Sequence, residues 1–139
     1  MIKLIARPKG TGKTKEFIEL VKQTLITAKG DVICLEKGDK LIHDIPHKAR
    51  LISASTYDFD CYAYLKGFIS ALHAGNYDIA HIFVDSLQKM VEKVDNDSLE
   101  PFLDWLSTFS AQTGIHFTLT MSIETEGLSE KIRQYLYVK

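Results

Sequence analysis

Five consecutive residues contain the groups that a bound polyphosphate requires: Gly10, Thr11, Gly12, Lys13 and Thr14. Glycines let successive backbone amides curl around phosphate oxygens, and a lysine reaches the outer phosphates. A threonine hydroxyl can hold Mg²⁺, and a helix starting here would add the positive end of its dipole. The segment, extended by the neighbouring Lys9, therefore predicts a binding site for ATP or another nucleoside triphosphate.

A second feature is a carboxylate at the end of an apolar run. Ile82, Phe83 and Val84 directly precede Asp85, as in a buried strand that ends in an acid. A carboxylate in such a position holds Mg²⁺ through the water shell of the ion. We therefore expect Thr14 and Asp85 to share one magnesium ion.

The first segment resembles a Walker A motif, and the run that ends at Asp85 resembles a Walker B strand. Together they make the chain similar to the P-loop nucleoside triphosphatases, and its size resembles that of short, uncharacterised bacterial P-loop proteins. The resemblance covers the strand and helix on either side of Gly10 to Thr14 and the strand before Asp85. It implies nucleotide and Mg²⁺ binding by a three-layer α/β sandwich.

The chain departs from the full Walker A pattern at Arg7, where the pattern has glycine, and Pro8 follows. We expect Arg7 to contribute its charge to phosphate binding. Two alternatives stay open: the restricted Arg7–Pro8 entry stiffens the loop and weakens binding, or Arg7 is an ordinary solvated side chain.

The chain also resembles the RecA-like branch, in which a strand with a polar tip lies between the Walker A and Walker B strands. Thr120 and Ser122 resemble that tip, which senses the terminal phosphate. The branch usually has a glutamate beside the Walker B carboxylate, where this chain has Ser86. The catalytic base is therefore unknown, and three carboxylates are candidates by position alone: Glu36, Asp58 and Glu124.

These groups need strands and helices to position them, and the apolar periodicity predicts both in alternation. The predicted strands are Ile2–Ala6, Asp31–Glu36, Arg50–Ala54, Ile79–Asp85 and Ile115–Ser122. The predicted helices are Lys13–Lys29, Asp60–Ala74, a helix that starts near Asp97 with an Asp97/Glu100 capping box and stops at Gly114, and Ser129–Tyr135. Alternation of this kind predicts a single domain, residues 1–139, with a parallel sheet of about five strands and helices on both faces.

Composition limits the class of protein. The 139 residues are 45% hydrophobic and 25% charged, as in an average globular domain, and no run is long enough to predict a membrane span. The net charge of -1 gives no support to nucleic-acid binding. However, residues 1–50 carry 11 Lys and Arg against 6 Asp and Glu, which fits a local polyphosphate site. Two cysteines without metal spacing, Cys34 and Cys61, favour reduced thiols and the cytoplasm.

Three functions remain open at this point. The favoured one is a slow or partner-activated ATPase that binds ATP and Mg²⁺. The alternative is a degenerate P-loop module that acts by binding a partner, either another protein or a second copy, without catalysis. A small-molecule or nucleoside kinase ranks third, because arginines that could shield a transferring phosphate are scarce after Thr14.

Overall fold

One sheet of five parallel strands forms the centre of the computed structural model, which describes residues 1–137. The strands are β1 (Ile2–Arg7), β2 (Asp31–Glu36), β3 (Ala49–Ser53), β4 (Ile79–Val84) and β5 (His116–Ser122). Their order across the sheet is β1-β5-β4-β2-β3. The predicted parallel α/β architecture is confirmed; residues 138–139 of the predicted domain lie outside the described part.

Helices cover both faces of the sheet, as predicted. They are α1 (Lys13–Thr27), α2 (Tyr62–Gly75), α3 (Asn96–Thr113) and α4 (Glu130–Arg133). One core cluster joins α1 to the sheet through Phe17 and Val21. A second cluster joins the opposite face to α2, α3 and α4, with Leu65, Leu103 and Ile132 among its buried residues. The molecule is thus a three-layer α/β sandwich.

A loop, residues 37–48, shares the α1 face of the sheet. Leu41 and Ile45 are buried there beside Phe17 and Val32. These two apolar side chains belong to the same core cluster as residues of α1, β2 and β3, so the connection between β2 and β3 stays attached to the core. The loop begins directly at the carboxyl end of β2.

The start of α3 differs from the prediction. The N-cap is Asp95, whose carboxylate accepts a hydrogen bond from the Ser98 amide (2.9 Å) while the Ser98 hydroxyl accepts one from the Asp95 amide (3.1 Å). The predicted Asp97/Glu100 box is wrong because Asp95 and Ser98 have the same spacing two residues earlier, and each side chain accepts a hydrogen bond from the backbone amide of the other. The other predicted strands and helices begin and end within two residues of the predicted bounds.

The strand order determines which residues meet. β5 lies between β1 and β4, so the strand before Gly10 and the strand before Asp85 are separated by one strand, as the RecA-like resemblance predicts. All five strands are parallel, so their carboxyl ends share one edge of the sheet. That edge carries the segments that follow Arg7, Glu36, Val84 and Ser122.

Candidate functional site

The glycine-rich turn runs from β1 into α1. Gly10 and Gly12 have φ angles of 81° and 82°, in the left-handed region that residues with a side chain rarely adopt. Gly12 is the N-cap of α1, and no side chain caps the helix there. The first backbone amides of α1 therefore remain available to an anion.

The Lys13 side chain lies along this turn. Its ammonium donates a hydrogen bond to the Pro8 carbonyl (2.9 Å), which also accepts one from the Thr11 hydroxyl (2.8 Å). Partial burial and the Arg7 charge lower the pKa of Lys13, and the Asp85 carboxylate opposes that shift. Lys13 and Asp85 are therefore close enough to influence each other electrostatically.

A cleft of about 600 Å³ opens beside the turn, a size typical of small-molecule sites. Seven of the predicted binding residues line it: Lys9, Gly10, Gly12, Lys13, Thr14, Asp85 and Ser122. Thr11 and Arg7 are not among the lining residues. The fold thus brings the turn, the carboxylate after β4 and the tip of β5 to one cavity.

Asp85 is 7% exposed and is held by β5. One of its oxygens, Oδ1, accepts a hydrogen bond from the Thr120 hydroxyl (2.7 Å), and that hydroxyl accepts one from the Ser86 amide (2.8 Å). Thr120, predicted to sense a phosphate, orients Asp85 in this structure. Ser122 lies two residues after Thr120 in β5, and its backbone amide donates a hydrogen bond to Gln88 Oε1 (3.0 Å).

Glu36 ends β2 and lies on the far side of Asp85 from the turn. The carboxylate is 5% exposed, and its Oε2 atom accepts a hydrogen bond from the Leu41 amide (3.1 Å). Burial raises the pKa of Glu36, backbone hydrogen bonds from Leu41 and Lys40 oppose the shift, and the Asp85 charge adds to it. Glu36 lines a second cavity of about 250 Å³ together with Thr14 and Asp85.

The other two carboxylate candidates lie elsewhere. Glu124 and Asp58 are exposed, and neither lines either cavity of the site. Tertiary structure thus brings Glu36, and not these two, to the predicted nucleotide site.

Arg7 has a partner outside the cleft. Its guanidinium forms an ion pair with Glu16, in the first turn of α1, at 2.5 Å. The ion pair therefore connects the last residue of β1 to the first turn of α1, across the glycine-rich turn. The Glu16 side chain is only 11% exposed. Within residues 1–137, Arg7 Nε and Glu16 Oε1 are buried without a hydrogen bond. Binding of phosphate by Arg7 stays a prediction, and it requires this ion pair to be shared or broken.

Three residues of the cleft were missed by the sequence reasoning: Lys40, Gln88 and Lys89. Lys40 belongs to the loop after β2, while Gln88 and Lys89 belong to a short 3₁₀ turn, Leu87–Lys89, after β4. Loops that follow the strands of a parallel sheet lie at its carboxyl edge. Their position in loops that follow β2 and β4 was the only sequence feature that could have placed these residues at the site, since none of them belongs to a motif.

Other sequence features take no part in this site. Cys34 and Cys61 are free thiols, and burial raises the pKa of Cys34 to about 12, so it stays protonated. Residues 1–137 contain no cluster of three or more His, Cys, Asp or Glu side chains that could hold a metal, and His43 and His47 lie in the loop between β2 and β3. None of the helices in these residues is both long and apolar enough to cross a membrane.

Among solved structures, the chain is similar to the flagellar accessory protein FlaH from Methanocaldococcus jannaschii. The two share 15% sequence identity with a TM-score of 0.56, over 96% of this chain and 65% of the FlaH chain. The chain therefore spans less than two thirds of the FlaH chain. No protein-family profile matches the chain, and a search of curated proteins finds no match. At this identity the likeness concerns the fold, which is consistent with a P-loop nucleoside triphosphatase of RecA-like strand order.

Proposed function

We propose that the chain binds a magnesium nucleoside triphosphate, ATP in the first instance, in the 600 Å³ cleft and hydrolyses it slowly. One observation carries the proposal. Lys13 and Thr14 are adjacent in the sequence, Asp85 lies far from them, and all three line one cavity at a helix N-terminus that no side chain caps. Backbone amides, a lysine, a hydroxyl and a carboxylate around one cavity are what a magnesium triphosphate needs.

The residues present suit Mg²⁺. Thr14 offers a hydroxyl oxygen and Asp85 a carboxylate, and Mg²⁺ prefers such oxygen donors together with water and phosphate oxygens. Thr120 bonds Asp85 Oδ1, and among residues 1–137 the Oδ2 atom has only a long contact of 3.4 Å to the Ser86 hydroxyl. When bound, the ion would neutralise phosphate charge, while Thr14 and Asp85 hold it.

Glu36 is the residue we assign as the general base. It is buried, it shares a cavity with Thr14 and Asp85, and its raised pKa makes it a better proton acceptor than an exposed carboxylate. Its hydrogen bond to Leu41 competes with that task. Ser86 stands where the RecA-like branch has its glutamate, and turnover by the isolated chain should therefore be slow.

Calorimetry with ATP and with GTP, each with and without Mg²⁺, tests the binding step. Lys13→Ala should weaken binding by about 10-fold or more, because charge-assisted contacts contribute roughly 1.5–3 kcal/mol. Lys22→Ala is the matched control, since Lys22 is an exposed lysine of α1 outside both cavities. No heat from the wild type at millimolar nucleotide would overturn the proposal.

Ser86 also favours the second candidate, a degenerate P-loop module that acts by binding a partner protein or a second copy, without catalysis. Phosphate release distinguishes the two. The ATPase should release phosphate at less than about 1 per second, the low end of enzyme rates, and Glu36→Gln should slow it further. Binding without release, in wild type and variant alike, would favour the module. ADP formed without release of free phosphate would instead indicate that the terminal phosphoryl group is transferred to an acceptor, which is the kinase reaction.

A further inference from the structure

The two cavities at the carboxyl edge of the sheet share a wall. Thr14, Lys40, Asp85, Ser86 and Lys89 line both the 600 Å³ cleft and the 250 Å³ cavity. Thr14 and Asp85 are the proposed magnesium residues, so the shared wall marks where the terminal phosphate of a bound nucleotide would lie. Lys40 and Lys89 flank that position.

Positive charge exceeds negative charge around these cavities. Two carboxylates line them, Asp85 and Glu36, against six lysines: Lys9, Lys13, Lys15, Lys37, Lys40 and Lys89. Lys13 belongs to the turn and Lys37 donates a hydrogen bond to the Phe59 carbonyl (3.3 Å). A magnesium triphosphate keeps a net negative charge, and its terminal phosphate gathers more as the bond to the leaving diphosphate breaks.

The backbones that carry Lys40 and Lys89 are fixed to the core. Lys40 precedes Leu41, which is 3% exposed and donates its amide to Glu36. Lys89 lies in the turn between the fully buried Leu87 and Met90, and its amide donates to the Ser86 carbonyl (2.9 Å). Both side chains therefore extend from fixed backbone positions in the wall that the two cavities share.

Neither ammonium is engaged elsewhere. Within residues 1–137, three ion pairs occur, and none includes Lys40 or Lys89. Both residues are exposed, and neither side-chain nitrogen donates a hydrogen bond to the rest of the described chain. A flexible lysine without a partner can reach a phosphate without first losing an existing contact.

We propose that Lys40 and Lys89 form a pair of catalytic lysines that stabilise the terminal phosphate in the transition state, so that the charge is supplied by the same chain. The inference rests on the proposed function and names two residues that act in it. Cations aimed at the position where charge develops lower the barrier more than they strengthen ground-state binding. The pair should therefore affect turnover more than affinity.

The test compares Lys40→Ala, Lys89→Ala, the double variant and the control Lys22→Ala. Binding of Mg²⁺ and ATP is measured first by calorimetry, then phosphate release at saturating nucleotide. The double variant should turn over about 10- to 100-fold more slowly than the wild type while its affinity falls by less than about 3-fold. The double Lys→Arg variant should retain most of the turnover, since it retains both charges.

Two further measurements separate this role from others. Trapping of Mg²⁺ and ADP with aluminium fluoride, a mimic of the transferring phosphate, should be lost in the double alanine variant although ADP itself still binds. Turnover per molecule should stay constant across a dilution series. Wild-type turnover in the double variant, or turnover per molecule that rises with protein concentration, would overturn the inference. Absence of nucleotide binding by the wild type would overturn the proposed function itself.

Discussion

Two contacts between β4 and β5 use the same chemistry at opposite ends of the strand pair. The Thr118 hydroxyl meets His81 Nε2 at 2.8 Å, and the Thr120 hydroxyl meets Asp85 Oδ1 at 2.7 Å. His81 and Asp85 are equally buried, each 7% exposed. Thr118 and Thr120 are themselves buried and point to the same face of β5.

The surroundings make the two contacts different. His81 stacks on Phe83, with ring centroids 4.1 Å apart, and burial, followed by the charges of His116, Lys3 and the N-terminus, lowers the pKa of His81 to about 3. It is therefore neutral at physiological pH. Asp85 instead faces the glycine-rich turn and its lysine. Position along the strand, and not the type of hydrogen bond, separates the buried His81 contact from the contact at the proposed nucleotide site.

The largest expected effect is at the carboxyl end. Asp85→Asn keeps the shape and an acceptor for Thr120 but removes the charge that would hold Mg²⁺. Affinity for the nucleotide in the presence of Mg²⁺ should fall by about 100-fold, roughly 2.7 kcal/mol, and affinity without Mg²⁺ should change little. Calorimetry measures both. Equal losses with and without Mg²⁺ would contradict the assignment of Asp85 to the ion.

The next largest effects are expected from Thr118→Val and Thr120→Val, which make the same substitution at the two contacts. Thr118→Val leaves His81 without its partner and should lower the free energy of unfolding by about 2 kcal/mol, with nucleotide affinity unchanged. Thr120→Val should lower affinity for the magnesium nucleotide by about 10-fold, because Asp85 loses the group that orients it. Urea unfolding and calorimetry on both variants measure the contrast. A loss of affinity in Thr118→Val would contradict the separation of the two ends.

Acid should lower the free energy of unfolding through the protonation of His81. The unfolded chain takes up a proton on His81 near its ordinary pKa of 6.5, whereas the folded chain does so only near 3. Between these values the unfolded state binds more protons, so stability falls as pH falls. The loss from pH 6.5 to 5 should be about 1.5 kcal/mol by urea unfolding. His81→Gln should flatten that slope; an unchanged slope would assign it to other groups.

The smallest expected effect concerns the ion pair beside the turn. Arg7→Ala and Glu16→Ala should each lower the free energy of unfolding by about 1 kcal/mol, because either leaves a partly buried charge without its partner. Nucleotide titrations at two salt concentrations test the predicted phosphate contact. Lower affinity with a flatter salt dependence in Arg7→Ala would support it, and tighter binding by Arg7→Gly would favour a stiffened loop. Unchanged stability in both alanine variants would contradict a structural ion pair.

Local patterns predicted most of the fold. The β2 bounds were correct, because Gly30 and Gly38 bracket a run of buried residues, and Lys13 was correct as the first residue of α1. The start of α3 was wrong because two caps with the same spacing compete, and only the packed helix decides between them. The order β1-β5-β4-β2-β3 was not predicted, since it depends on contacts between distant strands.

The sequence by itself determined the glycine-rich turn and the carboxylate at Asp85, because each is a short segment whose residue types carry their own chemistry. Tertiary structure alone decided that Glu36 and not Glu124 lines the smaller cavity beside the cleft, that Thr120 holds Asp85, and that Arg7 pairs with Glu16. It also placed Lys40 and Lys89 on one wall. The reason is physical: these relations arise where the ends of parallel strands converge, and convergence depends on strand order and burial.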